Sequence, residues 1–414
     1  MAIRTCIAVA AGLSLLLLAA CGDPTPPLAD QTPEPTPIEE TLVMFPVEGT
    51  TISGSGFDYV QYLFEVADER LWRLRGRSTF GPFSPDGKFL IERRCCDNRG
   101  LSIVDLSTGK SRPILEGDLS STIWSPDSDR IVFTQLVNGQ LHGPYVISKD
   151  GSNLVQLADL RLPVSISWSP DGKYISAQVY GELPHKLLLL DLNSGEIISA
   201  VESLYGFAWS PDGKRLAYGN ETGLYLYDPE TRERRQLTVL PGDASPAGVW
   251  SHPLWSPDSA ALLFRYGDLL PTGYIGQQQA YYLIGVNDPG SPVSLGPMLR
   301  PGWSPDGRHI AYMSYGCLTK NWDIFLYDVA SGAERRVTNM PDKIKEGPEW
   351  SPSGDSLLFS TFDRLYRFDI KSGELKTILT RGENGSSNIH LHSGSWSADG
   401  RFVLLGTGDH GICD

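Results

Sequence analysis

Trp209-Ser210-Pro211-Asp212-Gly213 is one of eight similar pentapeptides along this chain of 414 residues. The eight copies begin at Phe83, Trp124, Trp168, Trp209, Trp255, Trp303, Trp350 and Trp396. Their spacings are 41, 44, 41, 46, 48, 47 and 46 residues, and the sequence between copies alternates apolar and polar residues as strands do. A period in the forties with four strands per repeat is typical of β-propeller blades. The repeat therefore predicts an all-β fold, an eight-bladed β-propeller of four-stranded antiparallel blades.

The composition of the motif predicts a tight turn between two antiparallel strands. Proline presets φ at the first corner, aspartate favours the next corner, and glycine accepts a left-handed conformation. The second and fifth copies carry Ser128 and Ser259 where the others have glycine, so these two turns are expected to be strained or differently shaped. The aromatic residue that opens the motif ends a strand and is predicted to pack between neighbouring blades.

The two ends of the chain are predicted to share the last blade. After Trp396 only one more strand is expected, near residues 401–406, whereas two strands without a motif precede Phe83, near 59–66 and 70–75. Together they complete an eighth blade and remove the open sheet edges of an unclosed ring. We therefore predict one propeller domain over residues 57–414, and not two smaller rings.

The first 56 residues have a different character. Arg4, an apolar run at 7–18 and the small-residue sequence Leu18-Ala19-Ala20-Cys21 predict a lipoprotein signal peptide over residues 1–20. The sequence Leu18-Ala19-Ala20-Cys21 resembles the lipobox of bacterial lipoproteins, which implies cleavage before Cys21 and lipidation of Cys21. Residues 21–56 are predicted to form a Pro-rich tether that holds the ring away from the lipid bilayer. An ordinary signal peptide followed by a released protein is the alternative.

Composition and cysteine usage are consistent with an exported protein. The formal net charge of −14 argues against a nucleic acid partner, because a phosphate backbone attracts basic surfaces. Blades 1 and 8 are neighbours in the predicted ring, so Cys413 is expected within reach of Cys95 or Cys96 as a disulfide in an oxidising compartment. A bridge between Cys95 and Cys96, or free thiols, is the alternative.

Long insertions at 238–253, 267–279 and 380–393 are all predicted on the face opposite the motif turns. Variable loops on a rigid scaffold commonly carry function, and aromatic side chains dominate interface energies. The candidate contact residues on this face are Trp250, His252, Tyr274, Tyr315, Trp322, His390 and His392.

The chain contains neither a G-x-S-x-G nor an H-E-x-x-H sequence. We therefore assign no catalytic residue and no cofactor, and enzymatic activity is uncertain. A weaker hypothesis is a divalent metal site, because imidazole and carboxylate groups are suitable ligands. The residues that would form it are His390, His392, Asp409 and His410.

The repeated W-S-P-D-G, with R-R-Q-L-T at 234–238 and R-R-V-T at 335–338, resembles the TolB-type, WD-repeat-like β-propeller repeat over nearly all of 58–414. Such repeats occur in scaffolds, in periplasmic Tol components and beside peptidase domains, and some TolB-like propellers resemble metal-dependent pectate-fragment lyases. We expect a lipid-anchored, extracytoplasmic scaffold of the cell envelope, on the periplasmic or extracellular face of a membrane. Its partner is expected to be a protein or a glycan. The alternative is a polysaccharide lyase or hydrolase with a metal-assisted site at the channel mouth.

Overall fold

The computed structural model describes residues 41–47, 51–52, 60–75, 78–94, 99–161, 164–180, 185–202, 206–220, 222–239, 252–265, 280–287, 291–316, 321–340, 346–361, 363–381 and 389–407. Strands and turns account for the regular structure in these ranges, which contain no helix. Accordingly, none of these ranges provides a helix of the length and apolarity needed to cross a membrane.

Eight sheets, each containing four antiparallel blade strands, form the ring, and the predicted fold class is confirmed. We number blades 1 to 8 in the order of the motif copies, and strands 1 to 4 of each blade from the channel outward. Blades 1 and 2 contain Ser78–Phe83, Phe89–Arg94, Gly100–Asp105 and Lys110–Glu116, then Leu119–Trp124, Arg130–Val137, Gln140–Ser148 and Val155–Gln156. Blades 3 and 4 contain Val164–Trp168, Tyr174–Val179, Lys186–Asp191 and Ile197–Glu202, then Phe207–Trp209, Leu216–Asn220, Gly223–Tyr227 and Arg234–Val239.

The second half of the ring repeats this arrangement. Blades 5 and 6 contain Leu254–Trp255, Ala261–Arg265, Ala280–Gly285 and Val293–Pro297, then Leu299–Trp303, His309–Gly316, Asn321–Asp328 and Glu334–Arg336. Blade 7 contains Glu346–Trp350, Ser356–Ser360, Arg364–Asp369 and Leu375–Arg381. Blade 8 contains Ile389–Trp396, Phe402–Thr407, Val60–Glu65 and Arg70–Leu74.

Blade 8 joins the two ends of the chain, as predicted. Its second strand pairs antiparallel with its third, from Phe402 opposite Glu65 to Thr407 opposite Val60. The buried Gln61 amide then ties this blade to blade 1: it donates to the carbonyl oxygen of Phe80 at 3.1 Å and accepts from the Phe80 nitrogen at 2.7 Å. The strand Val60–Glu65 is therefore bonded both to the C-terminal strand of its own blade and, through Gln61, to blade 1.

Three short strands precede the ring and were not predicted. Thr41–Leu42 pairs with blade 1, Met44–Val47 pairs with blade 8, and Thr51–Ile52 pairs in parallel with blade 7. They lie inside the segment 21–56 that was predicted as a tether, yet Val43 and Met44 are almost completely buried. Unpaired outer edges of the blades accept these strands. Strands of two to four residues are too short to show an apolar period in the sequence.

The core consists of eight apolar clusters, and each combines residues of two neighbouring blades. Between blades 3 and 4, for example, the rings of Tyr174 and Trp209 stack with centroids 6.0 Å apart. The predicted packing of the motif aromatic between blades is therefore confirmed. Burial between blades stabilises the ring as one unit, because no blade has a core of its own.

Six motif tryptophans also donate an indole hydrogen bond to the preceding blade. The bonds are Trp124 to Pro82 O (3.2 Å), Trp168 to Ile123 O (3.3 Å), Trp209 to Ser176 Oγ (3.1 Å), Trp255 to Ala208 O (3.0 Å), Trp303 to Leu254 O (3.2 Å) and Trp350 to Gly302 O (3.0 Å). In the other five bonds the acceptor is the carbonyl oxygen of the residue just before the motif aromatic. Ser167 is that residue in blade 3, and Ser176 donates to its carbonyl oxygen at 3.1 Å, so the Ser176 hydroxyl links Trp209 to the equivalent position. The exceptions are Phe83, which has no indole N–H group, and Trp396, whose buried Nε1 has no partner among the described residues.

The motif serine, for which the sequence suggested no role, organises the turn. In blade 6 the Ser304 hydroxyl donates to Asp306 Oδ1 at 2.6 Å and accepts from the His309 nitrogen at 2.9 Å. All eight motif serines are almost fully buried. The motif glycines have φ between 70° and 74°, and Ser128 and Ser259 follow the same path with φ of 61° and 59°. The turns at Ser128 and Ser259 were expected to be either strained or differently shaped. They keep the shape of the glycine turns and are therefore strained.

Candidate functional site

The topology gives the ring two different faces. The motif turns join strands 1 and 2 on one face, which we call the motif face, and the turns between strands 3 and 4 lie on the same side. The connections between strands 2 and 3, and those between blades, lie on the opposite side, which we call the long-loop face. Strand 1 borders the central channel, so its first residues lie at the channel mouth on the long-loop face.

The structure places the described candidate residues on this long-loop face. His252 directly precedes strand 1 of blade 5, Tyr315 lies near the end of strand 2 of blade 6, and Trp322 lies near the start of strand 3. His390 and His392 lie at the start of strand 1 of blade 8. Trp250 and Tyr274 lie outside the described residues.

His252 is held by blade 4 while it remains exposed. Its Nδ1 lies 3.0 Å from the carbonyl oxygen of Phe207, and its ring meets the Phe207 ring edge-on with centroids 6.3 Å apart. Because a carbonyl only accepts, Nδ1 carries the proton and Nε2 is an acceptor in the neutral ring. Gly206 makes room for this contact: a Cβ there would lie 2.9 Å from His252 Nδ1.

The strand that carries Trp322 is fixed by an ion pair between the buried Asp323 and the exposed Arg336. Trp322 is half-buried against the cluster between blades 6 and 7, and its Cα pairs with that of Tyr315. The next residue, Asp323, is 1% exposed and accepts from Arg336 at 2.7 Å and from the Thr338 hydroxyl at 3.1 Å. A buried carboxylate with these partners holds the start of strand 3 in one position.

Arg300 is a candidate that the sequence did not indicate. It lies on strand 1 of blade 6, where the pairing shifts between Leu299 and Gly302, and its φ is 51°. Bulges of this kind redirect side chains, and a left-handed arginine costs about 1–2 kcal/mol. Arg300 and Leu299 are both exposed, so this bulge adds a cation and an apolar side chain beside blade 5, which carries His252. The sequence Arg-Pro-Gly was the available signal, because proline and glycine inside a strand often mark a bulge.

The metal and disulfide hypotheses stay predictions. Asp409, His410, Cys95, Cys96 and Cys413 lie outside the described residues, as does Cys21. His390 and His392 are two residues apart on one strand, and the Cα of His390 pairs with that of Gly406. Among the side chains that the structure describes, no three of the types His, Cys, Asp and Glu come together as metal ligands.

Tyr218 is a buried tyrosine in the packing between blades 3 and 4. Burial raises the pKa of Tyr218 to about 12, so its hydroxyl stays protonated at neutral pH. Its ring stacks on Tyr225 with centroids 5.4 Å apart, inside the ring of blades.

Comparison with known proteins agrees with this architecture. No protein-family model matches the chain. The chain is 27% identical over 280 residues to the Tol-Pal system protein TolB of Francisella tularensis subsp. mediasiatica, which covers 63% of this chain and 60% of that protein. It is also 32% identical over 165 residues to the uncharacterized protein Atu1656 of Agrobacterium fabrum, covering 37% and 49% of the two chains.

Solved structures agree on the fold alone. The dihydro-heme d1 dehydrogenase NirN has a TM-score of 0.52 at 15% identity, with 81% of this chain and 76% of that chain covered. The fold and the repeats define a β-propeller. The similarity to TolB agrees with the resemblance of its repeats to the TolB-type repeat. The match spans less than two thirds of the length of the TolB protein.

Proposed function

We propose that the protein is a cell-envelope scaffold that binds a protein partner through its long-loop face. The observation that carries this proposal is the similarity to a Tol-Pal system protein over 280 residues. A closed ring with an apolar core between neighbouring blades is a rigid support for a binding surface.

The chemistry of the two faces supports the choice of the long-loop face. His252, Arg300 and the half-buried Trp322 combine aromatic, cationic and hydrogen-bonding groups, and such groups are enriched where protein interfaces have their strongest contacts. The motif face is instead made of short turns whose aspartates bond to their own backbone, as Asp306 does to the Arg308 nitrogen at 3.0 Å.

The proposal is tested by a photo-crosslinking amino acid placed at position 252 or 300 in intact cells. We expect both positions to give the same protein adduct, whereas position 214, exposed on the motif face, gives none. The double variant His252→Ala/Arg300→Ala should weaken binding of the captured partner by about tenfold or more. Equal adducts from all three positions, or binding to a glycan array with no protein adduct, would contradict the proposal.

We also propose that Cys21 is lipidated and that the segment after it spaces the ring from the bilayer. Polyproline II adds about 3.1 Å per residue, so roughly 20 residues reach up to ~60 Å. Cys21→Ser should abolish labelling by an alkyne fatty acid and move the protein to the soluble fraction. Cys6→Ser, inside the predicted signal peptide, is the matched control and should leave both unchanged. Membrane retention of unlabelled Cys21→Ser protein would contradict the anchor without affecting the partner proposal.

A further inference from the structure

The position three residues before the motif aromatic is left-handed in several blades. Among the residues that the structure describes, Ser121, Gly206, Arg300 and Gly347 occupy this position with φ of 50°, 130°, 51° and 102°. Glycine adopts such a conformation freely, whereas a residue with a Cβ is strained there. Blade 6 therefore keeps a long cationic side chain where these other blades have glycine or serine.

The strain at Arg300 is not offset within the part of the chain that the structure describes. Arg232 and Glu69 are also left-handed, but each forms an ion pair with the preceding blade. Arg300 is exposed, and its guanidinium makes no hydrogen bond or ion pair with any described residue. Backbone strain that persists in this way is found at binding sites, where the ligand supplies the missing contact.

Two other exposed side chains accompany Arg300 at the channel mouth. Leu299 precedes it on the same strand and is 40% exposed. The exposed His252 belongs to blade 5 and, like Arg300, lies three residues before the motif aromatic of its blade. The two strands are joined by Trp303 Nε1, which donates to Leu254 O at 3.2 Å. One side of the channel mouth thus carries a cation, an apolar group and an imidazole.

We propose that Arg300 binds a carboxylate of the partner protein. This inference rests on the proposed function and names the chemistry of its contact. A guanidinium presents several N–H donors in a planar fork, which matches the two oxygens of a carboxylate, and no acidic residue among those described occupies it. Leu299 offers an apolar contact to the residue beside that carboxylate. The carboxylate is an Asp or Glu side chain or the C-terminus of the partner.

The test uses a carbodiimide, which joins a carboxylate to a lysine amine where the two groups are in contact. In isolated cell envelopes, full-length protein with Arg300→Lys should become coupled to a second protein. Mass spectrometry of the joined peptides should show the coupled residue as an Asp, a Glu or a C-terminal residue. Arg308→Lys, exposed on the motif face of the same blade, is the matched control and should give no such adduct. Arg300→Gln, which has no amine, gives the background.

A second variant separates binding from folding. Arg300→Gly removes the cation and relieves the left-handed strain, so it should raise the thermal unfolding midpoint by about 1–2 °C. The same variant should lower the yield of the photo-crosslinked adduct from position 252 about tenfold, because a charged hydrogen bond to the partner is lost. Arg300→Lys keeps the charge and should lose less of this adduct.

The outcomes distinguish this inference from the proposed function. Photo-crosslinked adducts from position 252 without a carbodiimide adduct of Arg300→Lys would overturn the carboxylate contact and leave the proposed function standing. Coupling of Arg300→Lys to a carboxylate of the same chain, or an unchanged photo-crosslinking yield in Arg300→Gly, would also overturn it. No protein adduct by either method would contradict the proposed function itself.

Discussion

The hydroxyl of Ser128 accepts a hydrogen bond from the backbone nitrogen of Asp86 at 3.0 Å, joining the motif turns of blades 1 and 2. Ser259 does the same for blades 4 and 5, with Asp212 N at 3.1 Å. In both motif copies the serine stands where other copies have glycine, and both residues have positive φ. The strain of each left-handed serine is therefore accompanied by a bond that glycine is unable to make.

Two of the turns between strands 3 and 4 show the same relationship. Arg232 and Glu69, with φ of 62° and 51°, lie in the turns between strands 3 and 4 of blades 4 and 8. Arg232 pairs with Glu196 of blade 3 at 3.0 Å, and Glu69 pairs with Lys376 of blade 7. Each of these four residues reaches back to the preceding blade. We infer that at these four positions the link between two blades offsets the strain of the left-handed side chain.

Substitution of Ser128 separates the hydrogen bond from the strain. Ser128→Ala loses the bond and keeps the left-handed conformation, so it should lower the free energy of unfolding by about 1 kcal/mol. Ser128→Gly loses the same bond but relieves about 1 kcal/mol of strain, so it should be close to neutral. Urea midpoints of the two variants measure this difference, and the Ser259 pair provides an independent repeat. An alanine variant as stable as the glycine variant would contradict the argument.

Tryptophan-to-phenylalanine changes in the motif should depend on the blade. Trp255→Phe and Trp350→Phe remove indole bonds of 3.0 Å and should each cost about 1 kcal/mol beyond the lost ring area. Trp396→Phe removes no indole bond to any residue that the structure describes and is the matched control, with a smaller loss expected. Thermal unfolding midpoints of the three variants measure the effect. Equal losses at all three positions would show that ring size alone matters.

Gln61 should be important for closure of the ring. Gln61→Leu leaves the nitrogen and the carbonyl oxygen of Phe80 without their partners, so it should cost about 2–4 kcal/mol. Hydrogen exchange should also become faster in the strand Val60–Glu65 than in Tyr174–Val179 of blade 3, far from the closure. Gln156→Leu, at an exposed outer strand, is the control and should change stability by less than about 0.5 kcal/mol. Similar losses for both variants would argue against a special role for Gln61.

The motif aspartates should make the fold sensitive to acid. The Ser256 hydroxyl and the Ala260 N–H lower the pKa of Asp258, and the Ser304 hydroxyl and the Arg308 N–H lower the pKa of Asp306. The unfolded chain therefore binds more protons than the folded chain, and stability rises with pH. This contribution is present above about pH 4 and is lost as pH falls through the depressed pKa of the folded protein.

A thermal unfolding series from pH 7 down to strongly acid buffer tests this sign. Asp258→Asn/Asp306→Asn should be less stable than the unsubstituted protein at neutral pH but should lose less on acidification. Parallel curves for the two proteins would mean that these carboxylates do not supply the dependence.

The candidate site was only partly predictable. His252 and Trp322 were accessible to sequence reasoning because aromatic and histidine residues in loops after a repeated turn can be assigned to one face. Arg300 was not, because Arg-Pro-Gly marks only the bulge, and which side chain the bulge exposes depends on how strands 1 and 2 pair. The role of the buried motif serines was also missed, since a hydroxyl that bonds within its own turn looks the same in sequence as an exposed one.

By itself, the sequence determined the number of blades, the position of the turn between strands 1 and 2 and the closure by both chain ends. These features depend on local turn chemistry and on a period, which are written in consecutive residues. Only the tertiary structure decided which group each indole, each left-handed serine and each early strand contacts. Those partners are brought together by the ring: Trp124 and Pro82 lie 42 positions apart, and Leu42 pairs with Lys110. Contacts between blades arise from the geometry of neighbouring sheets, and no sequence pattern identifies the two residues that will meet.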